Sequence, residues 1–578
     1  MSIELVRILP AQPSTERARK TPLSYDSKND LIAYGSGKQV IVRSVANPET
    51  ATNVYVEHLH PVTSVAFSPS GFYVASGDAN GQVRIWNHEG DETVTKGPYQ
   101  VTSSRLNGID WCGESQRVIA VGDGRERFGH GFTADSGNTI GEISGHSAEV
   151  HAVAIKPNRP MRAVTVGEDG NAVFYEGPPF RFARSVSPHT SAVSDVAYSP
   201  DGAYFVTAGL DRKVGLYDGK SGDFLKWLDV EHEGMVLSVA FASNTMVVSA
   251  SADCSVRLTD VESGKLVQVW KLPKELSNQQ TGVVAAKEFV ISVSLNGDLH
   301  YWQKDNDAAV KVVQGHQKAV TALGLHSDIF TGSVDGTVVQ WFPDGHGERL
   351  PKAGHDGPVC GIVGDIWSAG WDSKITKIGD ESTKLVTKAQ PLDVAMTSKF
   401  TLTIADETLE LVGEKSVPLS DFAEGSGACV HAVGDMAAVG VGNTAVLLKL
   451  PDVTKIHAFD QKQSAISAVQ ISPDGKLVAV GETNGKIALY STETHALVTS
   501  RWTFHTSRVT SIAWAEDSKR VVTGSSDTNI FVYSVERPAR NIKTLGAHKD
   551  GVSRVAWMGD TKFVSTGADG AVKEWKLE

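Results

Sequence analysis

The chain has 578 residues, 41% of them hydrophobic and 21% charged, too long for one ordinary core and pointing to two or more domains with ample apolar area to bury. Its 55 glycines and 7 methionines favour turn-rich β structure over helix bundles. Lys plus Arg number 55 against 67 Asp plus Glu, and the resulting net charge of -12 opposes a broad phosphate-binding surface and argues against a nucleic-acid partner.

From the N-terminus, MSIELVRILPAQPSTERARK contains a strand pattern, Ile3–Leu9, and no apolar signal-peptide core. No later stretch approaches the roughly 18 uninterrupted apolar residues that a membrane-spanning helix needs, so membrane insertion is not expected. Cys112, Cys254, Cys360 and Cys429 lie far apart and form no Cys-x-x-Cys pair, which argues against a disulfide framework and a zinc site and fits a reduced, cytoplasmic location.

A frame then repeats along the chain. An Asp or Asn stands six residues before an aromatic at Asn80 and Trp86, Asp169 and Tyr175, Asp211 and Tyr217, Asn296 and Trp302, Asp335 and Trp341, Asn484 and Tyr490, Asp527 and Tyr533, and Asp569 and Trp575. Degenerate copies at Asp253, Asp372, Asp406 and Asn443, and looser ones near Gly37 and Asp123, fill the intervals. Asp169 to Asp211, Asp211 to Asp253 and Asp527 to Asp569 are each 42 positions, within the period of about 40–45 residues typical of WD40 blades. Within one unit, VSDVAYS, YFVTAG, VGLYD and FLKWL read as four short strands separated by turn residues.

Fourteen such units are too many for a ring that closes with about four to eight blades. The expected fold is therefore all-β, two tandem seven-bladed WD40 β-propellers, with domains at 21–314 and 315–578. The last unit supplies three strands before Glu578, and strand 2–10 is expected to complete it, closing the second ring and removing a free edge.

Histidines recur with the frame: His60, His146, His189, His232, His316, His355, His505 and His548 each precede the Asp or Asn by 17 to 23 positions. A repeated His–Asp spacing invites a catalytic reading, but a buried His–Ser/Thr–Asp–Trp hydrogen-bond network between strands explains many copies of it better. His189, Asp211, Tyr217, His505, Asp527, Tyr533, His548, Asp569 and Trp575 are accordingly read as structural.

No P-loop, H-E-x-x-H helix or G-x-S-x-G elbow is present, so neither a catalytic site nor a cofactor or metal is expected. GDGRERFGHG, Gly122 to Gly131, has the wrong glycine spacing for a phosphate cradle. Two departures from the blade template stand out instead, because binding chemistry in repeat proteins sits where loops differ from the consensus. Arg125, Glu126 and Arg127 form a charged turn, either a contact cluster or a solvated loop. In EGPPFRF, Phe180 beside Arg181 is either an interface anchor or an inward-packed core residue.

On SPSGFYVASGDANGQVRIW, VGDGRERFG, FYEGPPFRF, RWTFHTSRV and GAHKDGV the chain resembles the actin-interacting protein 1 family over essentially its whole length. The resemblance implies a cofactor-free monomer of the cytoplasmic actin cytoskeleton that binds F-actin and cofilin, promotes severing and disassembly, and caps barbed ends. It also implies contact roles for the positions matching the family motifs: Arg125, Glu126, Arg127, Glu168, Asp169, Phe180 and Arg181. Ala192 stands where the family can carry an aromatic. The strand pattern puts the GRERFG loop and Glu168–Asp169 on one rim of the ring and GPPF on the other. The competing reading is a WD40 scaffold or adaptor of another multiprotein assembly.

Overall fold

The computed structural model describes residues 2–90, 92–125, 127–380 and 383–578. Among them the strands form fourteen four-stranded antiparallel sheets, the tandem-propeller architecture expected from the frame. Each sheet is a blade, and blade 5 is typical. Its strands Val193–Tyr198, Tyr204–Gly209, Val214–Asp218 and Phe224–Leu228 run in sequence order from the ring's centre outward. The two middle strands are almost wholly buried because blades pack face to face. Phe205 and Tyr217 of blade 5 join Phe174 and Val166 of blade 4 in one apolar cluster.

The innermost strands are also stitched from blade to blade. A side chain on one strand accepts the backbone N–H of the next: Ser24 from Phe67 at 2.9 Å, Asp110 from Ile155 at 2.6 Å, and Asp195 from Val239 at 3.0 Å. Asp393 likewise accepts from Val430 at 3.1 Å, and Ser511 from Val555 at 3.2 Å. These bonds satisfy donors that face a channel rather than a neighbouring strand.

The chain divides into two compact units, Gln12–Gln317 and Met1–Ala11 with Lys318–Glu578. In the second unit the N-terminal strand Ile3–Leu9 pairs antiparallel with Val572–Leu577, Ile3 opposite Leu577 and Leu9 opposite Val572, so it is the fourth strand of blade 14. Arg7 fastens it, its Nε donating to Glu574 Oε1 at 2.7 Å and its Nη1 to the Pro343 carbonyl at 2.7 Å.

The first unit closes where the Thr21 N–H donates to the Thr281 carbonyl of blade 7 at 2.8 Å. Residues 12–20, which carry no blade signal, form a strap across one mouth of this ring. The Ser14 N–H donates to Gly35 at 3.0 Å, Glu16 accepts from Arg105 at 2.6 Å, and Arg19 reaches Glu149 at 3.0 Å. The strap ends with Lys20, whose Nζ lies 2.5 Å from Oδ1 of Asp195, a residue 1% exposed.

All four cysteines are free and buried. Among the described residues no helix is long and apolar enough to cross a membrane.

Candidate protein-binding rim of the first ring

The repeated histidines and aspartates are internal. His189 Nδ1 meets Asp211 at 3.0 Å, its Nε2 meets Thr207 at 2.7 Å, and Thr207 lies 3.4 Å from Tyr217. His548 joins Asp569 at 2.9 Å and Ser565 at 2.7 Å, with Trp575 Nε1 donating to Ser565 at 2.8 Å. His505 joins Asp527 and Thr523, and Tyr533 stacks on Trp502. With an imidazole carrying its proton on Nδ1, the blade 14 chain runs in one direction: Trp575 donates to Ser565, Ser565 to His548 Nε2, and His548 Nδ1 to the Asp569 carboxylate. These imidazoles have no solvent-accessible side-chain surface, so no substrate reaches them.

Blade 2 differs from the frame. His58, not His60, makes the contact, with Asp78 rather than Asn80, at 3.2 Å, and Ser76 bridges it to Trp86. In blade 7 Gln280 takes the histidine's place and accepts from Ser292 at 2.6 Å, while Trp302 donates to the same hydroxyl.

The departures from the template lie in blades 3 and 4. The GRERFG turn joins strands Arg117–Gly122 and Gly129–Thr133 and is anchored by Asp123 N–H donating to Arg105 at 2.8 Å. Arg125 and Arg127 are exposed, and Arg127 pairs with Glu142 at 3.1 Å. Glu126 lies outside the described residues.

Glu168 and Asp169, in the equivalent turn of blade 4, have opposite environments. Glu168 is exposed, its carboxylate 3.3 Å from His151 Nε2. The Asp169 side chain is only 5% exposed and accepts from His146, from the Ser147 N–H at 3.0 Å and from the Asn171 N–H at 3.1 Å. Burial opposes its ionisation, but these donors outweigh burial and hold the carboxyl below the usual carboxylate range. Asp169 therefore shapes the turn, which corrects its expected role as a contact.

Of the two readings of Phe180, the structure takes the inward-packed one, against the contact role the resemblance implied. Phe180 is 2% exposed and packs with Ile119, Val121, Ile140 and Tyr175 in the seam between blades 3 and 4. Its N–H donates to the Ile140 carbonyl at 2.9 Å. Gly141 lies against the Phe180 backbone at a φ of +142°, and a side chain there would collide with Phe180. An exposed anchor exists two residues on: Phe182, 48% exposed beside the exposed Arg181.

The start of the strand explains the substitution, since two residues two apart within it would share a face. Arg181–Val186 is the outer strand of blade 4, so Phe180 precedes it at an inward-turning bend while Phe182 lies on its solvent side. The same geometry bears on the two rims. Phe182 covers Gly145 in the connection leading into blade 4, and the next residue, His146, holds Asp169. Between the outer and inner strands that it joins, the 139–151 segment thus carries three separate contacts, Glu142 with Arg127, Gly145 under Phe182 and His151 with Glu168. Among the described residues no cluster of three His, Cys, Asp or Glu side chains is placed to hold a metal ion.

A family model described as WD domain, G-beta repeat matches residues 50–87, 180–218, 226–260, 308–341, 497–534 and 539–576. A second, the anaphase-promoting complex subunit 4 WD40 domain, matches 432–506. Among curated proteins, Actin-interacting protein 1 of Drosophila melanogaster is 35% identical over 534 residues, covering 87% of this chain and 86% of its own. WD repeat-containing protein 1 of Xenopus tropicalis is 34% identical, covering 86% and 79%, and that of Gallus gallus 33%, covering 85% and 78%.

Proposed function

This chain belongs to the actin-interacting protein 1 family, and we propose that it is a non-enzymatic protein that binds cofilin-decorated actin filaments, promotes their severing and disassembly, and caps barbed ends. It acts as a monomer within the cytoplasmic actin cytoskeleton. The observation that carries this reading is an exposed phenylalanine, Phe182, beside the exposed Arg181 on the outer strand of blade 4, in the ring whose blade 3 turn also exposes Arg125 and Arg127. Aromatic and arginine side chains are the residues that dominate binding energy at protein interfaces.

A rigid double ring suits the task because little loop ordering opposes association. A filament offers many subunits, so two binding surfaces on one chain would gain from effective concentration. The histidine–aspartate pairs are closed to solvent, which supports a binding rather than a chemical role.

The site is tested by co-sedimentation of Phe182→Ala and of Arg125→Glu/Arg127→Glu with cofilin-decorated filaments. Both should bind more weakly than wild type while keeping its melting temperature. Unchanged binding by both variants would move the contact surface elsewhere. Recovery of a different assembly from cross-linked lysate, with no actin, would favour the adaptor reading.

A further inference from the structure

The second unit has a recess of about 350 Å³ at the mouth of its central channel, and its chemistry differs from that of the first ring. In the first ring the chain fills the mouth itself, seating the Lys20 ammonium on buried Asp195. In the second, the lining includes Arg508 and Arg554, the acids Asp393 and Asp550, and Ser526 and Ser553, while the lining hydroxyls of Thr321, Ser467 and Thr510 are spent on backbone carbonyls.

Arg554 is fixed. Its Nε donates to the Thr321 carbonyl at 3.2 Å, and its Nη2 faces the Cys360 carbonyl at 3.1 Å and Asp393 Oδ1 at 3.3 Å. These contacts occupy Nε and Nη2, and among the described residues Nη1 makes no hydrogen bond. Burial pushes the Asp393 carboxyl up in spite of Arg554, which weakens its hold on the guanidinium.

Arg508 stands at the entrance to blade 13, exposed, and its guanidinium makes no hydrogen bond or ion pair among the described residues. Its backbone is held in place: its carbonyl accepts the Ser526 N–H at 3.0 Å, and Thr510 donates to the Val552 carbonyl at 2.6 Å, tying blade 13 to blade 14. The two arginines therefore arise from adjacent, cross-linked strands, and the Ser526 and Ser553 hydroxyls, which make no hydrogen bond among the described residues, line the same recess. Asp550 also lines the recess, is not free of partners, and sets the repulsion that a ligand must overcome.

We infer that this recess binds a phosphoryl group, a compact dianion whose oxygens accept from Arg508, Arg554 Nη1 and the two serines. Guanidinium groups lining one recess can each donate to the oxygens of such an anion, and a pre-fixed arginine loses little freedom on binding. A single carboxylate would gain less against Asp550, because it has half the charge and fewer acceptor oxygens. The group can be carried by a small phosphate ester or by a phosphorylated side chain of a partner.

Titration calorimetry of the full chain with inorganic phosphate, and separately with a short phosphoserine peptide and its unphosphorylated form, tests this. Saturable binding is expected, weakened by about tenfold or more in Arg508→Ala, weakened also in Arg554→Lys, and tightened in Asp550→Asn. Arg508 is exposed, so that variant keeps the wild-type melting temperature and separates loss of binding from loss of fold. Tighter binding of the peptide than of phosphate assigns the site to a phosphorylated partner, and the reverse to a free ester; either supports the site. No saturable binding of either probe, or equal binding by Arg508→Ala, would overturn it. These outcomes are independent of actin binding, which the calorimetry does not involve.

Discussion

Phe182 lies across Gly145, so closely that a side chain at position 145 would meet the phenyl ring at 2.7 Å. Gly145 also has a φ of +99°, a conformation that disfavours any residue with a Cβ. The contact puts the exposed aromatic of blade 4 against the connection from blade 3, and it distinguishes Phe182 from its buried neighbour Phe180. Phe180→Ala should cost about 3–5 kcal/mol, because it empties a close-packed seam. Phe182→Ala should leave the calorimetric transition in place and weaken filament binding. Equal losses of melting temperature in the two variants would contradict the assignment.

The contrast between these two residues marks how far the sequence could be read. The period of 42 residues and the four-strand pattern of blade 5 sufficed for fourteen blades, because burial between packed sheets imposes both. The orphan strand Ile3–Leu9 was legible as the partner of Val572–Leu577 because three strands leave an edge exposed. The side-chain partners were less legible. Asp78 substitutes for Asn80 by a shift of two residues within one turn, which spacing alone does not resolve. Asp169 was given a contact role by the family resemblance, although the repeat frame already paired it with His146 in an internal network, the pairing that the structure shows. Phe180 and Phe182 differ by the position of one bend, and the strap at 12–20 has no periodicity at all.

Arg7 and the strand that carries it hold blade 14 together. Deleting residues 2–10 strips the strand from Val572–Leu577, leaves Glu574 without Arg7 and exposes an open edge. The second unit should then melt at a lower temperature and aggregate with increasing concentration, as read by calorimetry and light scattering. An unaltered transition would show that the ring does not depend on closure.

Lys20→Ala removes the cation from Asp195, whose carboxylate stays buried with the Ser238 hydroxyl and the Val239 N–H as partners. The expected cost is about 1–3 kcal/mol of first-ring stability, less than for a fully buried pair because Lys20 is partly exposed. Cleavage within the strap under limited proteolysis should accelerate, since Lys20 anchors its end. Unchanged proteolysis would contradict the anchoring role.

Acid should unfold the protein in a characteristic window. Asp78, Asp169, Asp211, Asp253, Asp372, Asp527 and Asp569 are all held below the usual carboxylate range. For Asp527 and Asp569 burial opposes ionisation, but the facing histidine and backbone N–H groups bring each to about 2. A depressed carboxyl contributes stability that is present above its unfolded value of about 3.9 and lost as pH falls through the folded one. Burial lowers His146, His189 and His232, which costs stability as pH falls below about 6.5. Burial raises Asp110 to about 6 and also raises Asp393, which works in the opposite sense, favouring the folded state as pH falls toward about 4. Urea midpoints should therefore change little between about pH 6.5 and 4.5 and fall steeply between about 4 and 2. A uniform slope across the whole range would contradict the role given to the aspartates.

The most direct test of the account is co-sedimentation of the wild-type chain with actin filaments, with and without bound cofilin. The chain should pellet with cofilin-decorated filaments, pellet far less with bare ones, and increase the actin left in the supernatant only when cofilin is present. Equal binding to both kinds of filament, or no gain in soluble actin with cofilin, would contradict the proposed function.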